Sequence, residues 1–321
     1  MDKRKYLPIL TGLIYASIFG LSFIFTKIAL DLMSLMELLA SRFLIAATSM
    51  TLLKLTGIIK IDLKNKPRKD IILVAIFQPV LYFTFETIGI NMTTASESGL
   101  MTSLTPIVVS ILSVIFLKER LRLHQWGFII LSVSGVVLIN LMKGSVAPSN
   151  YLGVFFLLLT VLVAGIYNIL AKKATAAYQP IEITYVMMWA GAIVFNGVNI
   201  VNSIINKNIS TYFSRLFAID ALVPLLYLGV LSSIFAFFLS VYTISKLQVS
   251  QAAVFGNVIT IVSIIGGVII LKENFHWYDF VGGLMIIVGV WATVYYGEDN
   301  KRLPDNEEEI QSSLSQENSL I

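Results

Sequence analysis

Arg42 and Glu86 are charged side chains set inside long apolar runs. An unpaired charge in such a run is costly in lipid, so each needs a partner, water or a ligand. Arg42 lies about seven residues into its run and Glu86 about four from the end of its own, roughly 10 Å and 6 Å deep on a helix. Gln78, Tyr82 and Glu86 recur at i, i+4 and i+8, one polar stripe on a helix face. Asn168, Gln251 and Asn257 also sit well within apolar runs, where an amide without a partner is unsatisfied. The chemistry open to this set is recognition: a cation to grip an anion, a carboxylate to grip a cation or carry a proton, amides and a phenol to orient. Two readings of Arg42 and Glu86 stand open. They form a buried ion pair that fixes packing, or they join Gln78, Tyr82, Asn168, Gln251 and Asn257 along a substrate pathway.

Bond-making chemistry finds few parts. There is no cysteine, hence no disulfide, thiolate metal site or thiol nucleophile. His124 and His276 lack a second histidine or an acid at ligand spacing. No Gly-Lys-Ser/Thr phosphate loop is present, so ATP hydrolysis is not expected. No cofactor and no metal are expected, and an enzyme is disfavoured.

Other polar residues have structural roles at hand. Glu37 follows Ser34 by three residues and Glu97 follows Thr94 likewise, the spacing of a capping box. Glu182 stands at the same place after Gln179-Pro180. Lys27 lies one turn from a helix end and can snorkel to water. Gly99, Ser103, Pro106, Ser110 and Ser113 form a small-residue stripe, as do Gly256, Thr260, Ser263 and Gly267, and Ser233, Ala236, Ser240 and Thr243. Such stripes read as close helix packing. Pro79, Pro106 and Pro224 can bend the helices that hold them.

The elements that position these residues are membrane spans. Of 321 residues 57% are apolar and only 13% charged, with mean hydropathy +0.83. A soluble fold needs more polar surface than this. A bilayer core needs about 20 apolar residues per helix. Ten segments qualify: 7–30, 35–56, 70–90, 95–117, 123–142, 151–171, 181–202, 221–244, 249–271 and 277–297. The first is too long for a signal-peptide core, and no small-residue cleavage site follows it. The net charge of +4 is spread between the runs, so nucleic acid is not an expected partner. With the N-terminus inside, 17 of the 23 Lys and Arg fall inside and four outside, Lys143, Lys207, Arg215 and Lys272; Lys27 and Arg42 are within spans. That bias puts both termini in the cytoplasm. The loop 203–220 carries Ile209, Tyr212, Phe213, Leu216 and Phe217 at helical spacing, which fits a surface amphipathic helix or an irregular loop. The polar tail 298–321 is expected to be disordered and cytoplasmic.

The two halves repeat. Gly20, Lys27 and Glu37 meet Gly165, Lys172 and Glu182 at an offset of 145, and Ser96, Leu117-Lys118-Glu119 and Gly135 meet Ser250, Leu271-Lys272-Glu273 and Gly289 at 154. Each copy holds five spans, an odd number, so the second enters the membrane inverted. Inverted repeats are the architecture of alternating-access transporters, with the substrate site between the halves near the midplane.

Lys27-Ile28-Ala29-Leu30, Arg42-Phe43-Leu44-Ile45-Ala46-Ala47, Pro106, Leu117-Lys118-Glu119-Arg120-Leu121 and Gly135-Val136-Val137-Leu138 occur in an order that resembles the ten-helix, EamA-type branch of the drug/metabolite transporter superfamily. The resemblance covers about residues 7–296. It implies a cavity lined mainly by spans 1, 3, 4, 6, 8 and 9, with spans 5 and 10 peripheral. It also implies transport of amino acids or other small metabolites, or of nucleotide sugars and sugar phosphates as in relatives. The four-helix multidrug branch relies on a glutamate in its first span; span 1 here has no acid. Arg42 belongs to the family-like motif and Glu86 does not.

The expectation is therefore an all-α integral membrane protein of ten transmembrane helices in two inverted five-helix repeats, 7–142 and 151–297. Its expected work is export of a small polar metabolite such as an amino acid across the cell membrane by alternating access. A sugar-phosphate or nucleotide-sugar exchanger, and a channel or non-transporting receptor, are the alternatives. Its partners are a small-molecule substrate and the lipid bilayer, with protons as a candidate coupling ion, in a monomer or homodimer.

Overall fold

The computed structural model describes residues 3–93, 101–143, 150–205, 219–270, 272 and 274–297. Those residues form helices and no β-strand. The first two helices are α1, Lys3–Leu30, and α2, Leu35–Leu55. The third, α3, runs end to end through Arg68–Ala75, Ile76–Leu81 and Tyr82–Met92. Then come α4, Thr105–Leu117, α5, Leu123–Lys143, α6, Tyr151–Ala174, and α7, Pro180–Ile205. Helix α8 runs through Ile219–Leu226, Tyr227–Ala236 and Phe237–Lys246. Helices α9, Val249–Ile270, and α10, Trp277–Gly297, close the series. Nine of the ten are long and apolar enough to cross a membrane; α4 is the shorter apolar one among the described residues. Residues 94–100, most of the loop 203–220 and the tail 298–321 lie outside the described residues, and with them the capping expected of Glu97, the surface helix or irregular loop expected at 203–220 and the disorder expected of the tail.

Local signals set the helix ends. Ser34 and Glu37 form the capping box at the start of α2, with Ser34 N–H donating to Glu37 Oε2 at 2.7 Å. Glu182 accepts from Gln179 N–H at 2.8 Å at the start of α7. Lys118 stops α4 in the left-handed region at φ 55°, and Lys272 takes φ 59° just after α9. The repeated Leu-Lys-Glu motif thus marks a helix stop in both halves.

The packing repeats with the sequence. A Cβ on Gly20 of α1 would fall 2.6 Å from Val262 of α9, and one on Gly165 of α6 would fall 3.1 Å from Val108 of α4. Gly20 and Gly165 are 145 apart, and Val108 and Val262 are 154 apart. Helices α5 and α10 meet on each other through the same symmetry. A Cβ on Gly135 would sit 2.5 Å from the Gly282 carbonyl, and one on Gly289 2.6 Å from that of Phe128. Only glycine permits so close a backbone approach.

Helices α3 and α8 share a second irregularity. Each contains a wide π-type turn, Ile76–Leu81 and Tyr227–Ala236. Six residues of one fall within the other at the offset of 154. Gln78 leaves helical geometry altogether at φ −135°, ψ 121°. Wide turns of this kind break the regular ladder and recur at functional positions.

Candidate functional site

Arg42 projects from α2 between these two irregular helices. Its side chain is buried. Nε donates to Ser233 Oγ at 2.8 Å and Nη2 to Ser232 Oγ at 2.9 Å, both in the wide turn of α8. The guanidinium lies 5.3 Å from the Phe83 ring centroid and 5.6 Å from that of Phe43. Aromatic faces stabilise a cation without neutralising it. Phe43 also stacks on Phe195 of α7 at 5.5 Å and meets Phe83 of α3 edge-on at 5.6 Å, so two rings lie against the charge and a third backs one of them.

Glu86 is partly buried and accepts a hydrogen bond from Tyr82 at 3.0 Å. The i, i+4 stripe read from the sequence is thus a bonded pair. Arg42 and Glu86 make no ion pair within 4.0 Å. Gln78, at the kink of α3, is buried and its amide makes no hydrogen bond to a described residue. Arg42 stands on α2 and Gln78, Tyr82 and Glu86 on α3, two helices whose side chains meet where Phe83 touches Arg42 and Phe43.

The three remaining amides go elsewhere. Asn168 donates to the Ala164 carbonyl one turn back in α6 at 2.8 Å. Gln251 donates to the Val294 carbonyl of α10 at 3.1 Å and accepts from Gln248 N–H at 3.1 Å, which caps α9. Asn257 donates to Ser132 Oγ of α5 at 2.7 Å. Both amides of α9 therefore face the α5–α10 pair. An amide deep in a span demands a partner, and sequence depth does not say on which side of the helix that partner lies.

Contacts between distant parts of the chain, which the sequence alone does not reveal, hold the lysine-rich ends of the helices together. Glu119 accepts from Val249 N–H at 2.6 Å, Ser250 N–H at 3.3 Å and Ser250 Oγ at 2.8 Å, so an acid of the first half caps α9 of the second. Lys172 donates to the carbonyls of Ile244, Leu247 and Ser245 at 2.8, 2.7 and 3.2 Å and so caps α8. Lys66 pairs with the buried Glu182 at 2.6 Å. Thr11 bonds Thr243 at 3.0 Å, and Tyr15 donates to the Ala252 carbonyl at 3.0 Å. The repeat holds a signal for one of these contacts: Glu119 and Ser250 both have counterparts at 154, Glu273 and Ser96.

A bundle of two related five-helix halves with a buried guanidinium between them matches a known family. The EamA-like transporter family model covers residues 7–141 and again 151–295. The chain belongs to the EamA-like transporter family. An uncharacterized transporter of Bacillus subtilis, YcxC, is 36% identical over 292 residues, 90% of this chain and 94% of that protein. An uncharacterized transporter of Archaeoglobus fulgidus is 27% identical over 86% of this chain and 94% of its own length. A probable terminal-alkyne amino-acid exporter of Streptantibioticus cattleyicolor is 22% identical over 61% of this chain and 63% of that protein. A crystal structure sharing 14% identity superposes with a TM-score of 0.74 over 91% of this chain and 98% of that one, a likeness of fold. The chain is thus a multi-pass membrane transporter.

Proposed function

We propose that this transporter exports a small zwitterionic metabolite, an amino acid being the best match, across the cell membrane by alternating access. The lysine-rich face and both termini are then cytoplasmic, and the two inverted halves supply the two access states. One observation carries the substrate class. Arg42 and Glu86 sit on helices whose side chains meet at Phe83, and each is held by neutral hydroxyls rather than by the other. A zwitterion brings a carboxylate for the guanidinium and an ammonium for the carboxylate. A sugar phosphate brings two negative charges to a pair of side chains whose net charge is zero, a poorer complement. The name of the Streptantibioticus relative agrees with this reading.

Glu86 also serves as the proton carrier of an antiport cycle in this proposal. Among the described acids it lies inside a span, whereas Glu37, Glu182 and Asp279 stand in the first turns of their helices. The test is transport into inside-out vesicles with the proteinogenic amino acids and a sugar phosphate as probes. Saturable uptake of one or more amino acids, lost in Arg42→Gln at unchanged protein level, is the expected result. Uptake of the sugar phosphate alone, or normal amino acid uptake by Arg42→Gln, sinks it.

A further inference from the structure

The partners of Arg42 are unusual for a buried cation, since neither is charged. Ser232 and Ser233 are both fully enclosed. Ser233 donates its own hydrogen to the Leu228 carbonyl at 2.8 Å, five residues back. Its oxygen is therefore left as an acceptor toward Arg42 Nε. That five-residue reach belongs to a wide turn, in which consecutive side chains splay less than in a regular helix. The turn lets two neighbouring serines face one guanidinium. They hold one edge of it, and the rings of Phe83 and Phe43 lie against it. Nη1 donates no hydrogen bond to the described residues and is not among the atoms sealed from outside.

We propose that Ser232 and Ser233 are positioning residues: they aim the Arg42 guanidinium at an anionic substrate group while leaving its charge uncompensated. The proposal rests on Arg42 being the substrate anchor. Hydroxyls suit this task because they fix direction without supplying the counter-charge. An acid in their place would form a permanent buried pair and compete with the substrate. Arg42 belongs to the first half of the chain and the serines to the second, so the anchor is assembled by both repeats. Spacing alone places Ser233 in a packing stripe; its bond to Arg42 gives it this second role.

The experiment uses the full chain in proteoliposomes, with the proteinogenic amino acids as probes and thermal stability in detergent as the control. Ser232→Ala and Ser233→Ala should each raise KM about three- to tenfold, the net worth of one ordinary hydrogen bond, since the bond lost orients the cation rather than binding substrate, with kcat within twofold. Ser233→Thr, which keeps the hydroxyl, should bring KM back toward wild type. Ser232→Asp should cut transport more than tenfold in a protein at least as heat-stable as wild type. Unchanged KM in both alanine variants while Arg42→Gln is inactive overturns the positioning role and leaves the anchor standing. Loss of kcat together with stability, at constant KM, marks the serines as packing residues and overturns it as well. Normal transport by Arg42→Gln, or none of the probes by wild type, removes the anchor and the proposal with it.

Discussion

At the scale of single residues, Glu86 and Tyr167 give opposite tests. Glu86 bonds Tyr82 and has no cation in contact. Glu86→Gln keeps the shape and an acceptor for Tyr82 but abolishes the titration. It should still exchange substrate for substrate, at a raised KM because the ammonium loses its counter-charge, while losing the response to an imposed pH gradient, read with a pH-jump assay in proteoliposomes. An unchanged pH response removes Glu86 from proton coupling. Tyr167 on α6 is 5% exposed, and its hydroxyl has no hydrogen-bond partner among the described residues. A buried polar group left unpaired costs about 1–3 kcal/mol. Tyr167→Phe should therefore raise thermal stability in detergent, by about 1 kcal/mol; a lower melting temperature would mean the hydroxyl is bonded. The sequence announces Arg42, Glu86 and Tyr82 because charge and phenol stand out against apolar neighbours. It cannot announce Ser232 and Ser233. They lie 190 and 191 residues from Arg42, and a serine pair in an apolar run looks like any small-residue contact.

At the scale of elements, helix ends are the most legible feature and helix interiors the least. The capping box of α2 and the stop at Lys118 follow from residues within one turn, which is the range of backbone hydrogen bonding. The wide turns of α3 and α8 depend on what packs around them, so the alternation of apolar residues carries only Pro79 and Pro224 as hints. Between these extremes stands the cap of α9, where the acid comes from the chain 130 residues earlier. Glu119→Ala should leave Val249 N–H and the Ser250 side chain unmet, at a cost of about 2 kcal/mol. Glu119→Gln should recover part of that, since its carbonyl oxygen still accepts one bond. Unfolding in mixed micelles measures both, and equal losses in the two variants would mean the charge alone matters. At the α5–α10 contact, a Cβ on Gly282 would fall 2.6 Å from the Gly135 carbonyl and 2.5 Å from Ile139. Backbone cannot yield as a side-chain tip can, so Gly282→Ala should destabilise by about 1–3 kcal/mol. Substrate KM should stay unchanged, because neither helix contributes to the Arg42 site; a shifted KM in well-folded protein would tie this pair to the pathway.

For the whole molecule, symmetry is legible in the residues themselves. Two offsets, 145 and 154, align the halves, and the same offsets relate the glycine contacts of α1 with α9 and α6 with α4. An odd number of spans per half then forces inversion. What the sequence does not convey is which neighbours each face of α9 meets. Depth alone puts the amides Gln251 and Asn257 along the pathway, yet they bond α10 and α5. The site proposed around Arg42 is carried by α2, α3 and α8.

Orientation in the membrane rests on charge, and the absence of cysteine makes it directly testable. The loop between α2 and α3 holds the exposed Lys64, and the turn between α1 and α2 holds the exposed Asp31. These loops sit at opposite ends of α2, so they lie on opposite faces. Positive residues are retained on the cytoplasmic side, and the 17-to-4 bias predicts that Lys64 lies there. In intact cells, Asp31→Cys should react with an impermeant maleimide and Lys64→Cys should react only after permeabilisation. Because each variant carries a single thiol, the two labels are unambiguous. Reaction at position 64 with protection at position 31 would reverse the orientation, and with it the direction assigned to transport.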